Sequence, residues 1–291
     1  MLKPRFQYGG QAVIEGVMMR GRNCAAVAVR KPDGEISLDM REIDNSRRPA
    51  ILKAPFIRGT VTLVESLVLG MNALMYSANE SAEEDEQLSG GEVALSLAVA
   101  LGLFVLLFIV LPNVIVAFIQ KRMSSVVLVN LIEGALRVAI FVVYLVVVSQ
   151  MRDIQRVFAY HGAEHKTIAA WEAGEALTVE NARRHGTAHA RCGTNFLLIV
   201  MVVSILIYSL LGRQALWERI VTRILLLPVL AGVSYEVLKI AGRPDPSPMV
   251  KWARAPGLAL QRLTTREPDD SMLEVAIVSL QAVIEKDEAV N

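Results

Sequence analysis

The sequence predicts a mainly α membrane protein, with about four transmembrane helices joined to a small cytoplasmic α+β portion. Three observations predict it. Of the 291 residues, 53% are hydrophobic and the mean hydropathy is +0.42, too apolar for an ordinary soluble domain. The apolar residues are concentrated in four long runs. Ahead of those runs, short stretches alternate apolar and polar residues around glycines and an Asp-Gly turn, the pattern of strands.

Residues 1–50 read as a β-rich cytoplasmic unit. Gly9-Gly10-Gln11-Ala-Val-Ile-Glu15-Gly16-Val-Met-Met-Arg20-Gly21 carries glycines expected at tight turns or close backbone approaches. No Lys-Ser/Thr pair follows to complete a phosphate-cradling loop. Ala25–Arg30 and Glu35–Ile43 flank Pro32-Asp33-Gly34 and predict a hairpin. Arg47-Arg48-Pro49 leads into residues 51–92, where Ile57–Ala78 is a helix with Arg58, Glu65 and Asn72 on one side. That pattern suits a helix lying in the membrane interface or packed under the bundle. A fifth span here would reverse the topology. Glu80–Glu92 reads as an acidic linker.

The spans fall within residues 93–151 and 196–240, as the runs Val93–Ile119, Val126–Val148, Phe196–Leu211 and Ile220–Val237. Between Val93 and Ile119 only Ser96 and Asn113 are polar, enough to cross about 30 Å of hydrocarbon at about 1.5 Å per residue. Glu133 and Arg137 share a face of the second run, and Arg223 and Glu236 lie on the fourth. Charges in a span are functional candidates by default. Structural pairing or snorkelling near helix ends is the preferred reading here. Pro112 and Pro228 are kinks that neighbouring helices tolerate.

Met1–Arg58 has no charged start followed by an apolar core, so no signal peptide is expected. The loop after the second run holds Arg152, Arg156, Lys166, Arg183, Arg184 and Arg191. The opposite side offers Lys121, Arg122, Arg213 and Arg219. The positive-inside rule therefore places the N-terminus, the central loop and the C-terminus in the cytoplasm of a multi-pass cell-membrane protein. The lipid bilayer is the expected partner, with a membrane protein or lipid-linked molecule as a second. A net charge of +1 gives no reason to invoke nucleic acid.

Residues 152–195 form the cytoplasmic His/Cys loop. They contain all four histidines, His161, His165, His185 and His189, and Cys192, one of two cysteines. Arg152–Ala173 reads as a helix stopped by Gly174, which sets His161 and His165 one turn apart on one face, a spacing that chelates a divalent ion. The string His-x-x-Glu-His is the inverted zincin motif, without the downstream glutamate spacing of those proteases. His189 and Cys192, closed by Gly193, have knuckle spacing. Together the four give a three-histidine, one-cysteine set for a divalent metal, zinc by ligand type. Glu180 and His185 are reserves. In a reducing compartment Cys192 stays out of a disulfide and free to bind as thiolate. His161 lies about 15 Å beyond Met151 on a straight helix, so the chain must bend back, or the third span extend, for His161 to meet Cys192.

Residues 241–291 form the C-terminal cytoplasmic segment. Arg243-Pro-Asp-Pro-Ser-Pro248 ends the fourth span, and Pro256-Gly257 and Thr264–Pro268 mark turns. Thr178 starts a second short helix. Ser271, with Glu274 in a capping box, starts a last amphipathic helix that needs the N-terminal unit as its partner.

The strings Gly9–Arg20, His161-Gly-Ala-Glu-His-Lys-Thr167, Arg191-Cys-Gly-Thr194 and Leu263-Thr-Thr-Arg-Glu-Pro268 resemble the YqhQ-like family of bacterial membrane proteins across nearly the whole chain. That family is of unknown function and is labelled a predicted metal-dependent enzyme. Its members usually carry proline after the position of His189; this chain has Ala190, which loosens the turn and leaves the ligands intact. The resemblance implies a membrane location and a metal-dependent activity but no particular reaction. The favoured expectation is a hydrolase in which Glu164 is the general base, Lys166 or Arg191 holds an anionic group, and Gln11, Glu15 and Arg20 complete the site. The alternative is a scaffold or assembly factor in which a metal only locks the loop. Transport is disfavoured, because the charged residues outline no path.

Overall fold

The computed structural model describes residues 6–43, 49–83, 90–123, 125–212, 214–242 and 247–289. Strands β1 (Gly9–Val13), β2 (Gly16–Arg20), β3 (Cys24–Arg30) and β4 (Ile36–Glu42) come first. Then follow α1 (Ile57–Glu80) and α2 (Gly90–Val105), which runs through a π turn at Leu106–Val110 into α3 (Leu111–Ile119). The remaining helices are α4 (Val126–Val148), α5 (Arg152–Ala173), α6 (Val179–Arg183), α7 (Gly193–Ser209), α8 (Leu216–Ala241), α9 (Pro248–Thr264) and α10 (Asp270–Ala289).

The strands form an antiparallel meander in sequence order, with Gly9 opposite Arg20, Gly16 opposite Val29 and Cys24 opposite Glu42. The expected hairpin is β3–β4, with Gly34 at φ +90° in its turn. The glycine-rich segment before it is the strand pair β1–β2, and Gly10, Gly16 and Gly21 sit at the expected close approaches. A Cβ at Gly16 would collide with the Ala28 carbonyl oxygen. The two-residue period puts Val13, Met18, Val27 and Val29 on one face, and Val17, Met19, Ala26 and Ala28 on the other.

Each face has its own cover. Ala73, Leu69 and Tyr76 of α1 pack on the first, and Ser77 Oγ accepts a hydrogen bond from Ile14 N at 3.2 Å. On the second face lie α5 and α10, as expected for the last helix. Ser279 Oγ accepts from Met19 N at 3.1 Å and donates to Ala26 O at 2.9 Å. Asp287 accepts from the backbone amides of Arg22 and Asn23 at 2.8 and 3.0 Å.

Among the described residues, four helices are long and apolar enough to cross a membrane: Ile57–Glu80, Gly90–Arg122, Val127–Val148 and Trp217–Ala241. The third expected run, Phe196–Leu211, falls on α7 (Gly193–Ser209), which is apolar but only 17 residues long. The first start of α1 packs on α8, where Gly59 faces Tyr235 and Gly232, and Arg58 pairs with Glu236 at 2.5 Å. Its later half covers the sheet. Val64, Leu67, Val68, Met71 and Met75 form an exposed apolar stripe along the opposite side.

Two expectations near the C-terminus are corrected. Pro256-Gly257 is not a turn: α9 runs through it. The helix tolerates the lost hydrogen bond because Gly257, Gln261 and Thr264 bury one face, with Gly257 against Asn195. The cap of α10 is Asp269 rather than Ser271. Its Oδ1 accepts from Met272 N at 3.0 Å and from Ser271 Oγ at 2.7 Å, while Glu274 pairs with Arg30 at 3.0 Å. A carboxylate satisfies the first-turn amides and meets the helix dipole better than a hydroxyl. Arg47, Arg48, Arg213, residues 84–89 of the acidic linker and residues 243–246 lie outside the described residues.

A Cβ at Gly59 would stand 2.6 Å from Tyr235 Cβ and 3.0 Å from Gly232 Cα, whereas one at Gly102 meets nothing within 4 Å. Gly59→Leu is therefore expected to destabilise the α1–α8 contact by about 1–3 kcal/mol, read as a lower melting temperature in detergent. Gly102→Leu should leave it unchanged.

Candidate metal centre

The chain turns between α4 and α5 through Ser149–Met151, with Met151 extended at φ −74°, ψ 132°. Arg266 steadies this corner by donating to Ser149 O at 2.9 Å. A straight extension of α4 is thus avoided, and α5 returns to the start of α7. Gly174, in the left-handed region at φ +79°, ends α5 as expected.

His161 and His165 project from one face of α5 with ring centroids 4.3 Å apart. Cys192 is the N-cap of α7, its sulfur accepting from Thr194 N. His161 Nε2 lies 3.2 Å from Cys192 Sγ, and ligand atoms of His161, His165 and Cys192 all lie within 4.8 Å of one another. Bonds of about 2.0–2.3 Å to a tetrahedral zinc ion set donor atoms about 3.3–3.6 Å apart, so modest closure of this group fits the ion. Two imidazoles and a thiol are the donor types zinc prefers.

The hydrogen bonds prepare these donors. His161 Nδ1–H donates to Thr264 O at 2.8 Å, and His165 Nδ1–H to Thr187 O at 2.6 Å. A carbonyl can only accept, so each ring keeps its proton on Nδ1 and turns an Nε2 lone pair inward. Burial pushes the His165 pKa down and so favours the neutral ligand form, against the opposing hydrogen bond with Cys192.

Glu164 lies beside this group, buried, with the Gly10 amide of edge strand β1 donating to it. A Cβ at Gly10 would be 3.1 Å from its carboxyl carbon. Burial pushes the Glu164 carboxyl up, and the nearby His161 and His189 rings and the Gly10 amide only partly oppose this.

The other predicted residues are placed differently. His189 is a neighbour, its ring 5.6 Å from that of His165, but its Nε2 faces Glu172 Oε2 at 3.3 Å. Glu172 also takes Arg191. Burial alone would raise the Glu172 pKa; hydrogen bonds from His189 and Arg191 outweigh it and hold the carboxyl at about 2. That carboxylate turns both side chains away from the three-donor group. Lys166 is buried and committed to Arg183 O at 3.0 Å and Glu267 at 2.5 Å. Glu15 binds Arg156 through both oxygens at 2.5 and 2.6 Å. Gln11 lies against Gly70 and Arg20 pairs with Glu65, both on the α1 face of the sheet, so neither completes the site. His185 pairs with Glu175, and Glu180 with Arg184.

Sequence reasoning missed the residues that hold the loop. Gln261, fully buried, accepts from His189 N at 2.8 Å and donates to His189 O at 2.9 Å and Asn195 Oδ1 at 3.2 Å. Asn195 donates to Ala190 O at 2.8 Å. Gly162 lets the backbone of Arg266 lie on α5, where a Cβ would collide with the Arg266 carbonyl oxygen. The available signal was a glycine in the middle of a strongly predicted helix, between two histidines.

Gln261→Leu keeps the volume but strips the loop's hydrogen bonds. Orphaned buried groups cost about 1–3 kcal/mol each, so amides of residues 187–195 are expected to lose hydrogen-exchange protection while those of α10 keep theirs.

Residues 54–286 match the family model described as a protein of unknown function, DUF1385. The chain is 35% identical over 295 residues to the uncharacterized protein YqhQ of Bacillus subtilis (strain 168), covering 95% of this chain and 92% of that protein. No solved structure matches. With the match spanning both the apolar helices and the His/Cys loop, the chain belongs to this YqhQ-like family of unknown function.

Proposed function

We propose that this is a multi-pass membrane metalloprotein in which His161, His165 and Cys192 hold a divalent ion, zinc by donor type. We further propose that it hydrolyses a membrane-protein or lipid-linked substrate at the cytoplasmic face. The observation that carries the metal reading is the pair of Nδ1–H bonds to Thr264 O and Thr187 O, which aim both imidazoles at the Cys192 sulfur. Three protein ligands with a further position open are the arrangement of catalytic zinc sites, whereas structural sites close with four.

The hydrolase reading rests on Glu164. Among the described residues no cation pairs with this buried carboxyl, which is costly, and raised carboxyl pKa values mark acid–base sites. When bound, the ion supplies Lewis-acid polarisation of a carbonyl or phosphoryl oxygen. Glu164 accepts the proton of the attacking water and returns it to the leaving group. The Gly10 amide fixes the carboxylate. Glu172 with Arg191 anchors the loop that follows His185.

The topology follows from parity. Strands β1–β4 pack on α5 and α10, so the chain must cross the bilayer an even number of times between them. The α2–α3 rod and α4 supply two crossings, and α7 with α8 another two. A crossing by α1 would make three and separate the sheet from α5. This supports α1 lying along the interface on its apolar stripe, and the basic residues of the central loop put that side in the cytoplasm.

A second reading, a scaffold whose ion only clamps α5 to α7, is favoured by burial: His165 is 1% exposed and Cys192 7%. Elemental analysis of purified protein separates both from a metal-free protein, with about one zinc per chain expected and none for His161→Ala. Glu164→Gln is then expected to keep metal and melting temperature but to fail to complement a deletion strain. Full complementation by Glu164→Gln, with no accumulation of His161→Ala, would leave the clamp.

A further inference from the structure

Far from the metal centre, on the side of the bundle where α4 and α8 begin, three arginines surround one carboxylate. Glu133 of α4 is 2% exposed; Arg219 and Arg223 of α8 are 5% and 7% exposed. Arg223 takes both Glu133 oxygens at 2.7 and 2.8 Å, Arg137 donates at 2.9 Å, and Arg219 stands at 3.5 Å. Arg219 also binds Gln120 at 3.0 Å. Among the described residues, Glu133 is the carboxylate paired with any of these guanidiniums.

One negative charge against three positive ones leaves a surplus of two in an apolar bundle. Arginine does not shed its proton to escape this, and unpaired charge in a low-dielectric interior is strongly unfavourable. The Tyr208 ring, 4.5 Å from the Arg223 guanidinium carbon, softens the surplus without cancelling it. Arg137 Nε is buried with no hydrogen-bond partner among the described residues. The site therefore calls for an anion.

A cavity of about 510 Å³ adjoins it, with Arg137, Arg223 and Tyr208 in its wall. Away from these the lining is apolar, running to Phe141, Tyr144 and Leu197. Leu103 and Phe104 of α2 and Ile224 and Leu227 of α8 also line it and are exposed on the outside of the bundle, giving a sideways opening towards acyl chains. The volume falls within the roughly 300–1,000 Å³ of small-molecule sites.

We propose that this cavity binds an anionic amphiphile from the bilayer, its carboxylate or phosphate on Arg137 and Arg223 and its acyl chain among Phe141, Tyr144 and Leu197. A free small anion would leave the apolar part unused, and a neutral lipid would leave the arginines unmatched.

The test is saturable binding of radiolabelled oleate to the full chain in nanodiscs of neutral lipid, scored above protein-free nanodiscs. One site per chain is expected, with lysophosphatidate competing and oleyl alcohol at least tenfold weaker. Arg137→Gln, which retains the Glu133–Arg223 pair, should weaken oleate at least tenfold. Val200 of α7 also lines the cavity, so Val200→Trp, which fills it and keeps every charge, should abolish binding with an unchanged circular dichroism spectrum. The proposal is overturned if neither oleate nor lysophosphatidate saturates, if oleyl alcohol competes as well as oleate, or if inorganic phosphate displaces oleate at equal concentration. Should Arg137→Gln fail to fold, unchanged oleate binding by Val200→Trp would also overturn it.

Discussion

Where Arg266 crosses α5, two backbones come closer than any side chain permits, and the half of the molecule that holds the sheet is arranged around that crossing. Gly162 makes it possible, and Arg266 N seals it by donating to Phe158 O at 2.8 Å. With residues 264–267 held there, Thr264 offers its carbonyl to His161, Thr265 reaches Thr187, and Glu267 reaches Lys166. The same crossing delivers the chain to Asp269, whose cap starts α10 at the height needed to cover the sheet. The donor group and the packing of the sheet thus share one origin.

Elements that are local in cause were legible in the sequence. The apolar runs, the β3–β4 hairpin, α5 with its Gly174 cap, and the pairing of His161 with His165 each depend on residues within a few turns of one another. What was hidden depends on distant partners. Pro256 reads as a stop unless the face it shares with Gln261 has a surface to bury against. His189 reads as a ligand until Glu172, 17 residues earlier, is seen to claim its ring. The strands β1 and β2 were obscured because glycine depresses strand propensity, and their backbone closeness to Ala28 and Glu164 explains the glycines only in three dimensions.

The two ends of the bundle solve opposite problems. On the α5 side, backbone carbonyls fix the tautomers of the buried imidazoles, and the buried Glu164 is met by a strand amide. On the other side, charge is buried outright and balanced only in part. Glu133 and its arginines are more than helices neutralising themselves, since Arg219 and Arg223 come from another helix. Pairing explains part of that cluster and leaves a remainder.

The sheet is completed by partners from the far end of the chain. Met19 N binds Ser279 Oγ across 260 positions, and Arg22 N binds Asp287 across 265. At synthesis rates of about 5–20 residues per second, strands made first wait on the order of tens of seconds for α10. During that interval one sheet face, with Val17, Met19 and Ala26, has no cover from that helix. Assembly therefore has a fixed order: the apolar helices α2, α4, α7 and α8 are made before α10 can close over this face of the sheet.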